Sequence, residues 1–292
     1  MRVAGAVLLA CGIEPAADRA LAEAAAIARS AHVPLVMCHV LDDASGFLPL
    51  SPEQRIFDPY LAAENRAWAL DAMQRQVERV IAPSAAQPEL RVDPGEFVAV
   101  LTSVAAEVQA GLIVVNGALP VDSAAARVRV ERIARTAHCP VLHLLADAGR
   151  CVLAATDFSD PATPAVRAAH DEAVRLGLPL FVLHAVETVT PAFGLPDGGS
   201  PPHVSALLDA RRAVARSRLE GVWRRFSGAR TVLWEGAATE SIIAAGEALD
   251  AARIVIGTHG RSALHRLANG SVAEGVLRRT RRSTLVVPLA HA

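Results

Sequence analysis

CVLAATDFSDPATPAVRAAHDEAVRLGLPLFVLHAVE, residues 151–187, is the stretch whose reading decides the fold. An apolar run from Cys151 meets an Asp/Ser/Pro turn, then a segment with apolar residues at helical spacing, then a second apolar run ending at Val186. Short Val/Leu-rich runs on either side of an amphipathic segment predict strand, helix, strand. Residues 6–41, AVLLACGIEPAADRALAEAAAIARSAHVPLVMCHVL, lie over it without a gap: Pro34 falls on Pro179, His39 on His184 and Gly12 on Asp157. The chain is one unit written twice.

Outward from that core the copies stay in step. Each continues with a Pro/Gly/Asp-rich loop and a helical segment, Leu61–Ile81 in one and Val204–Phe226 in the other. Short strands follow at Glu89–Val92 and Thr231–Trp234, and then matched glycines, Gly95 and Gly236. Helices at Val98–Ala110 and Thr239–Ala251 lead into strands at Leu112–Val115 and Ile254–Ile256. Each copy closes with a helix and a last strand, Val141–Leu144 and Leu285–Val287, with Thr284 standing where the first copy keeps Pro140. Strands alternating with helices imply an α/β fold with right-handed crossovers and a parallel sheet covered on both faces. The division falls in ADAGR, giving domains 1–146 and 150–292.

Composition bounds the function. A chain of 292 residues with 52% hydrophobic content has room for two ordinary cores. Its basic side chains are Arg and His; lysine does not occur, which excludes the P-loop and Schiff-base chemistry. Four cysteines without a C-x-x-C pair suggest neither a disulfide framework nor a zinc module. Cys11, Cys38 and Cys139 are expected as small core residues at strand positions. The apolar start MRVAGAVLLACG reads as a strand rather than a leader, since a near-copy recurs at Cys151–Asp157. No run approaches the ~18 apolar residues of a membrane span, and a reducing cytoplasm is the expected location.

The candidate site lies in RIVIGTHGRSALHRLANGS, residues 253–271. A buried strand ends at Gly257, Gly260 follows, and Gly270 and Ser271 precede a helix expected from Val272. Glycine permits close backbone approach, and a helix start offers unpaired N–H groups with partial positive charge, so this segment is a candidate phosphate cradle. The first copy has lost it. Asn116, Leu119, Ala126 and Arg127 replace Gly257, Gly260, Gly270 and Ser271, in a loop about three residues shorter. Charge divides in the same sense: 12 Arg against 17 acidic residues up to Gly149, 17 against 13 from Arg150 onward. An anion favours the second half.

These residues resemble a tandem universal stress protein. G-x-x-G-x9-G-[ST] is the family's nucleotide signature, present as Gly257, Gly260, Gly270 and Ser271, and ATDFSD with Asp157 is similar to its first-strand signature. The resemblance implies two repeated doubly wound five-stranded parallel sheets of the adenine nucleotide alpha hydrolase-like type. It further implies that the halves form an intramolecular pseudo-dimer, and that ATP, with or without Mg²⁺, binds at the sheet's carboxyl edge. Carried over by position, Thr156 and Asp157 meet the adenosine and Ala185 offers backbone contacts to the base. Ile256 and Gly257 flank the ribose and phosphates, and Gly260, Gly270, Ser271 and Val272 hold the phosphates. Ser271 is also where an N-cap hydroxyl would stand.

Other residues have plainer readings. His39 and His184 repeat at the end of a buried strand and are taken as structural. His259, Arg261, His265 and Arg266 lie in the cradle loop, near phosphates or merely solvated. Asp157 either binds ligand or caps its turn; its absence from the copy that lost the glycines favours ligand. The arginines of Val204–Phe226 raise nucleic-acid or membrane-surface binding, but a net charge of −1 and 4% aromatics argue for a solvated face. The expected protein is an ATP-binding stress-response regulator, with a nucleotide-binding second half and a structural first half. Ligand-dependent ordering of the Gly257–Ser271 loop would present a surface to an unidentified protein partner, and further homodimerisation fits. A partner-binding or structural protein without nucleotide is the alternative, and a weak ATPase the lesser one. Turnover would be slow or nil because nothing in the sequence orients a base.

Overall fold

The computed structural model describes residues 3–41, 59–116, 124–145, 148–159, 162–187, 202–226, 228–258 and 271–288. The chain divides after Leu145 into two compact units, Arg2–Leu145 and Ala146–Ala292. In the first, the strands are β1 Ala6–Ala10, β2 Leu35–Leu41, β3 Glu89–Pro94, β4 Ala110–Asn116 and β5 Val141–Leu144. The helices between them are α1 Asp18–Ala31, α2 Pro59–Val80, α3 Phe97–Glu107 and α4 Ala124–Thr136. The second repeats this with β6 Cys151–Ala155, α5 Thr163–Leu176, β7 Leu180–Val186, α6 Pro202–Arg225 and β8 Arg230–Glu235. It continues with α7 Ala238–Ala248, β9 Ala251–Gly257, α8 Ser271–Arg279 and β10 Thr284–Val287.

Strand order is β3-β2-β1-β4-β5 in one unit and β8-β7-β6-β9-β10 in the other, and each of these pairs is parallel. The order reverses between the unit's first and fourth strands. That switch point, at the carboxyl ends of β6 and β9, is where an open α/β sheet leaves a crevice. The central strands read as continuous apolar runs because helices cover both faces. Val7, Leu8, Leu9, Leu112, Ile113 and Val114 are buried in one unit, and Val152, Leu153, Ala154, Ile254, Val255 and Ile256 in the other. Each large side chain so buried contributes about 1.5–3 kcal/mol.

Helix α5 shows how the sequence sets these layers. Pro164 stands in its first turn, where no N–H is needed. Ala165, Val166, Ala169 and Ala173 form its buried stripe, and Gly177 ends it in the left-handed region at φ 66. His32 adopts the same conformation at the end of α1, φ 55. Left-handed residues also recur at Gln109 and Asp250, φ 50 each, just before β4 and β9.

Those two turns correct the expected helices. α3 stops at Glu107 and α7 at Ala248, so Ala110 and Ala251 open strands instead of closing helices. Ser271 already belongs to α8, one residue ahead of the expected start. Ser283, not Thr284, stands opposite Pro140: their carbonyls accept from Ile254 and Ile113, 2.9 and 3.0 Å. Val130, Ile133 and Ala134 of α4 are buried as Ala273, Val276 and Leu277 of α8 are. That spacing puts Arg127 and Val128 at the places of Gly270 and Ser271, with a loop two residues shorter rather than three. Cys11 and Cys38 are buried, whereas Cys139 is half-buried in the bend before β5.

Candidate functional site

In the second unit, the carboxyl ends of β6, β7 and β9 and the start of α8 open onto a cavity of about 750 Å³. Thr156, Asp157, Ala185, Ile256, Gly257, Ser271 and Val272 all line it, although the sequence separates them by more than a hundred residues. Parallel register explains the convergence. Ala154 lies beside Val182 and Val255, so the residues just beyond Ala155, Leu183 and Ile256 end at one level. Gly260 and Gly270 lie outside the described residues, as do His259, Arg261, His265 and Arg266.

The β6 loop is built by its own side chains. Asp157 Oδ1 accepts from the Ser159 N–H at 2.9 Å and from the Ser159 hydroxyl at 2.5 Å. Thr156 Oγ1 accepts from the Phe158 N–H at 3.0 Å. Between these two caps Phe158 is held at φ 60, a conformation that a bulky residue adopts only when its surroundings fix it. Asp157 is thus both a turn cap and a wall of the cavity. At the same place in the first unit, Ile13 carries no positive φ.

His184 secures this loop from the neighbouring strand. Its Nδ1–H donates to the Thr156 carbonyl at 2.8 Å, and its ring lies 4.3 Å from that of Phe158. His39 Nδ1 makes the matching bond to the Cys11 carbonyl, 3.1 Å. A histidine repeated for strand-to-loop bonding is the structural role read from the repeat. His184 and Phe158 are also cavity walls, which sequence reasoning missed.

On the opposite side, α8 is seated against α7. A Cβ on Gly275 would fall 2.8 Å from Thr239 Cγ2, so glycine is required for this approach. Arg279 donates to Glu240 at 2.9 Å across the same junction. The seat brings Ser271, Val272 and Ala273 to the rim, where first-turn N–H groups have no partner within the helix. A third wall comes from α6: Ala210, Arg211, Val214, Ala215 and Arg218 face the cavity. Arg211 Nη1 donates to the Glu187 carbonyl at 3.5 Å, and the Arg218 guanidinium lies over the Phe158 ring, 5.8 Å from its centre.

The walls therefore combine apolar surface (Val186, Val214, Ile256), two carboxylate residues (Asp157 and Glu187), helix-start amides and two arginines. Among the described residues no group of three or more His, Cys, Asp or Glu side chains is placed to hold a metal ion, and no helix is long and apolar enough to cross a membrane.

The Universal stress protein family profile matches residues 150–288. Universal stress protein MJ0531 of Methanocaldococcus jannaschii is 31% identical over 133 residues, 45% of this chain and 78% of that protein. The chain belongs to the universal stress protein family. The fold extends over both units. A universal stress protein from Archaeoglobus fulgidus aligns over 98% of this chain and 96% of its own, with TM-score 0.66 and 17% identity. The protein PA1789 of Pseudomonas aeruginosa PAO1 aligns over 99% and 94%, with TM-score 0.68 and 18% identity. For this universal stress protein, the family profile covers the unit that carries the cavity and the glycine signature.

Proposed function

We propose that the second unit binds an adenine nucleotide, ATP with or without Mg²⁺, and that the protein is a cytoplasmic stress-response regulator rather than an enzyme. The observation that carries this is the convergence of Thr156, Asp157, Ala185, Ile256, Gly257, Ser271 and Val272 on one cavity at the switch point. Its volume lies within the range of about 300–1,000 Å³ usual for small-molecule sites. The donor set fits the parts of the ligand. Val186, Val214 and Ile256 offer apolar faces for a purine, and the Ala185 backbone can meet its edge. Asp157 stands where a ribose or base donor would reach it, and the first turn of α8, with the Ser271 hydroxyl, suits phosphate oxygens. Gly260 and Gly270 complete this cradle in the proposal, and Mg²⁺ would be held chiefly by the phosphates and water.

In this reading the first unit is a structural companion. Gly12 stands in place of Asp157 and Asn116 in place of Gly257. The regulatory output is a surface changed by the bound phosphates and read by a protein partner or a second copy. Calorimetric titration of the whole chain with ATP tests the reading. One site per chain is expected, weakened at least tenfold by Ser271→Glu, which sets a carboxylate against the phosphates. Two equal sites per chain, or a Ser271→Glu protein that binds as the wild type does, would contradict it.

A further inference from the structure

Beyond Phe158 lies a second chamber of about 340 Å³, between the start of α5 and the face of α6. It shares Thr156, Phe158 and Arg218 with the main cavity and adds Thr163 and Arg225. Arg211, Arg218 and Arg225 are seven residues apart, two helical turns, and so stand on one stripe of α6 with a rise of about 10.5 Å between them. Arg211 and Arg218 line the main cavity; Arg218 and Arg225 line the chamber.

Charge accounting on α6 separates these arginines from their neighbour. Arg212 is held by Asp209 at 2.7 Å and by Glu235 at 2.9 Å. Arg218 and Arg225 have no carboxylate within salt-bridge distance among the described residues. The Arg218 guanidinium lies over the Phe158 ring, 5.8 Å from its centre, so its charge rests on a ring face rather than on a carboxylate.

The first unit shows what an ordinary solution looks like. There Arg79 of α2 donates to Asp18, the first residue of α1, at 2.9 and 3.1 Å, and Gln76 adds a third bond at 3.1 Å. Matching the buried Ala69 and Met73 of α2 to Ala215 and Leu219 of α6 sets Arg79 on Arg225 and the buried Ala72 on Arg218. Asp18 itself falls on Thr163. The second unit has thus replaced the internal carboxylate by a hydroxyl and added an arginine at the same place. Among the described residues no carboxylate pairs with the two guanidinium groups that line this chamber, and an anion from outside would do so.

We propose that this chamber is a phosphoryl-binding annex, in which Arg218, Arg225 and the Thr163 hydroxyl hold a second phosphoryl group beside the nucleotide cavity. The class of ligand is an adenine nucleotide phosphorylated on its ribose as well as on its 5′ chain, or a nucleotide with free phosphate beside it. The first form rests on the nucleotide reading above; the annex itself does not.

The test titrates the full-length protein with AMP, adenosine 3′,5′-bisphosphate and inorganic phosphate, at matched ionic strength. Thr163→Asp rebuilds the carboxylate of the first unit, at a helix position where aspartate is favoured; Arg225→Ala removes the cation, so either variant suffices if the other fails to fold. The bisphosphate is expected to bind the wild type roughly tenfold or more tighter than AMP, with that ratio falling to about one in both variants. A free-phosphate annex shows instead as a thermal midpoint raised by millimolar phosphate in the wild type and not in Thr163→Asp. That midpoint shift, seen in a protein that binds no nucleotide, would sink the nucleotide reading and keep the annex. Equal binding of bisphosphate and AMP together with no variant-sensitive phosphate effect would overturn the annex.

Discussion

Glu172→Ile alone should strongly destabilise the second unit, whereas Glu172→Ile with Arg253→Leu should restore its stability. Glu172 on α5 and Arg253 on β9 have side chains only 4% and 5% exposed and meet at 3.4 Å. Arg175 also holds Glu172, through Nε at 2.9 Å and Nη2 at 2.7 Å. At the corresponding positions the first unit has Ile27 and Leu112, both buried, so one framework carries an ionic and an apolar solution to one contact. Removing one partner of a buried pair costs about 3–5 kcal/mol, while replacing both by packed apolar groups is neutral or gains about 1–4 kcal/mol. With about 2–4 °C per kcal/mol for a unit of this size, the single variant should melt roughly 10 °C lower. Arg175, 17% exposed, can turn to water in the double variant. Urea-unfolding midpoints of the four proteins of the cycle measure the coupling, expected at about 3 kcal/mol. A double variant as unstable as the sum of the two singles would refute the argument. The pH dependence is a second readout. Burial by itself would raise the Glu172 carboxyl, but the bonds from Arg175 and the charge of Arg253 together hold it below its ordinary value. Its stabilisation is therefore complete above the ordinary glutamate range and is lost as pH falls through the lowered value; the double variant should lack this loss.

His143 on β5 is buried, its Nδ1 has no hydrogen-bond partner among the described residues, and burial followed by the charge of Arg127 pushes its pKa down to about 4. The unfolded chain takes up that proton near pH 6.5 and the folded one does not, so stability should fall between about pH 6.5 and 4. His143→Val, the residue that Val286 supplies in β10, should flatten that part of the profile in acid-unfolding curves. His32→Gly should stabilise the first unit by about 1 kcal/mol, because an exposed side chain is removed from a left-handed C-cap that Gly177 fills in the second unit; no rise in melting temperature would contradict this. Gly275→Val should drive α8 off Thr239 and reduce ATP affinity at least tenfold by calorimetry while far-UV dichroism is kept.

The repeat was legible because buried parallel strands tolerate few residue types and because short bonds recur at fixed spacing, as at His39 and His184. Thr156, Asp157, Ala185 and Gly257 were named together through the family resemblance, and the parallel register that ends their strands at one level is the physical reason they converge. Helix ends were less legible where the chain turns left-handed without glycine: Gln109 and Asp250 carry no local signal, so the expected helices ran on into β4 and β9. The slip at Ala126 and Arg127 has a related cause, since only the buried stripe of α4 fixes its register against α8. Phe158 and the α6 wall were missed because an arginine-rich helix reads as a solvated face. The signal was present in the seven-residue spacing of Arg211, Arg218 and Arg225, but its meaning depends on what α6 faces.

Identification of the small molecules released on denaturing freshly purified protein, by chromatography and mass spectrometry, tests nucleotide binding by the second unit most directly. A variant carrying Gly270→Asp and Ser271→Glu should be prepared in parallel. Adenine nucleotide near one per chain in the wild type and absent from the variant is the expected result. No nucleotide in the wild type, and no binding when millimolar ATP and Mg²⁺ are added, would contradict it and leave a fold kept for its interaction surface.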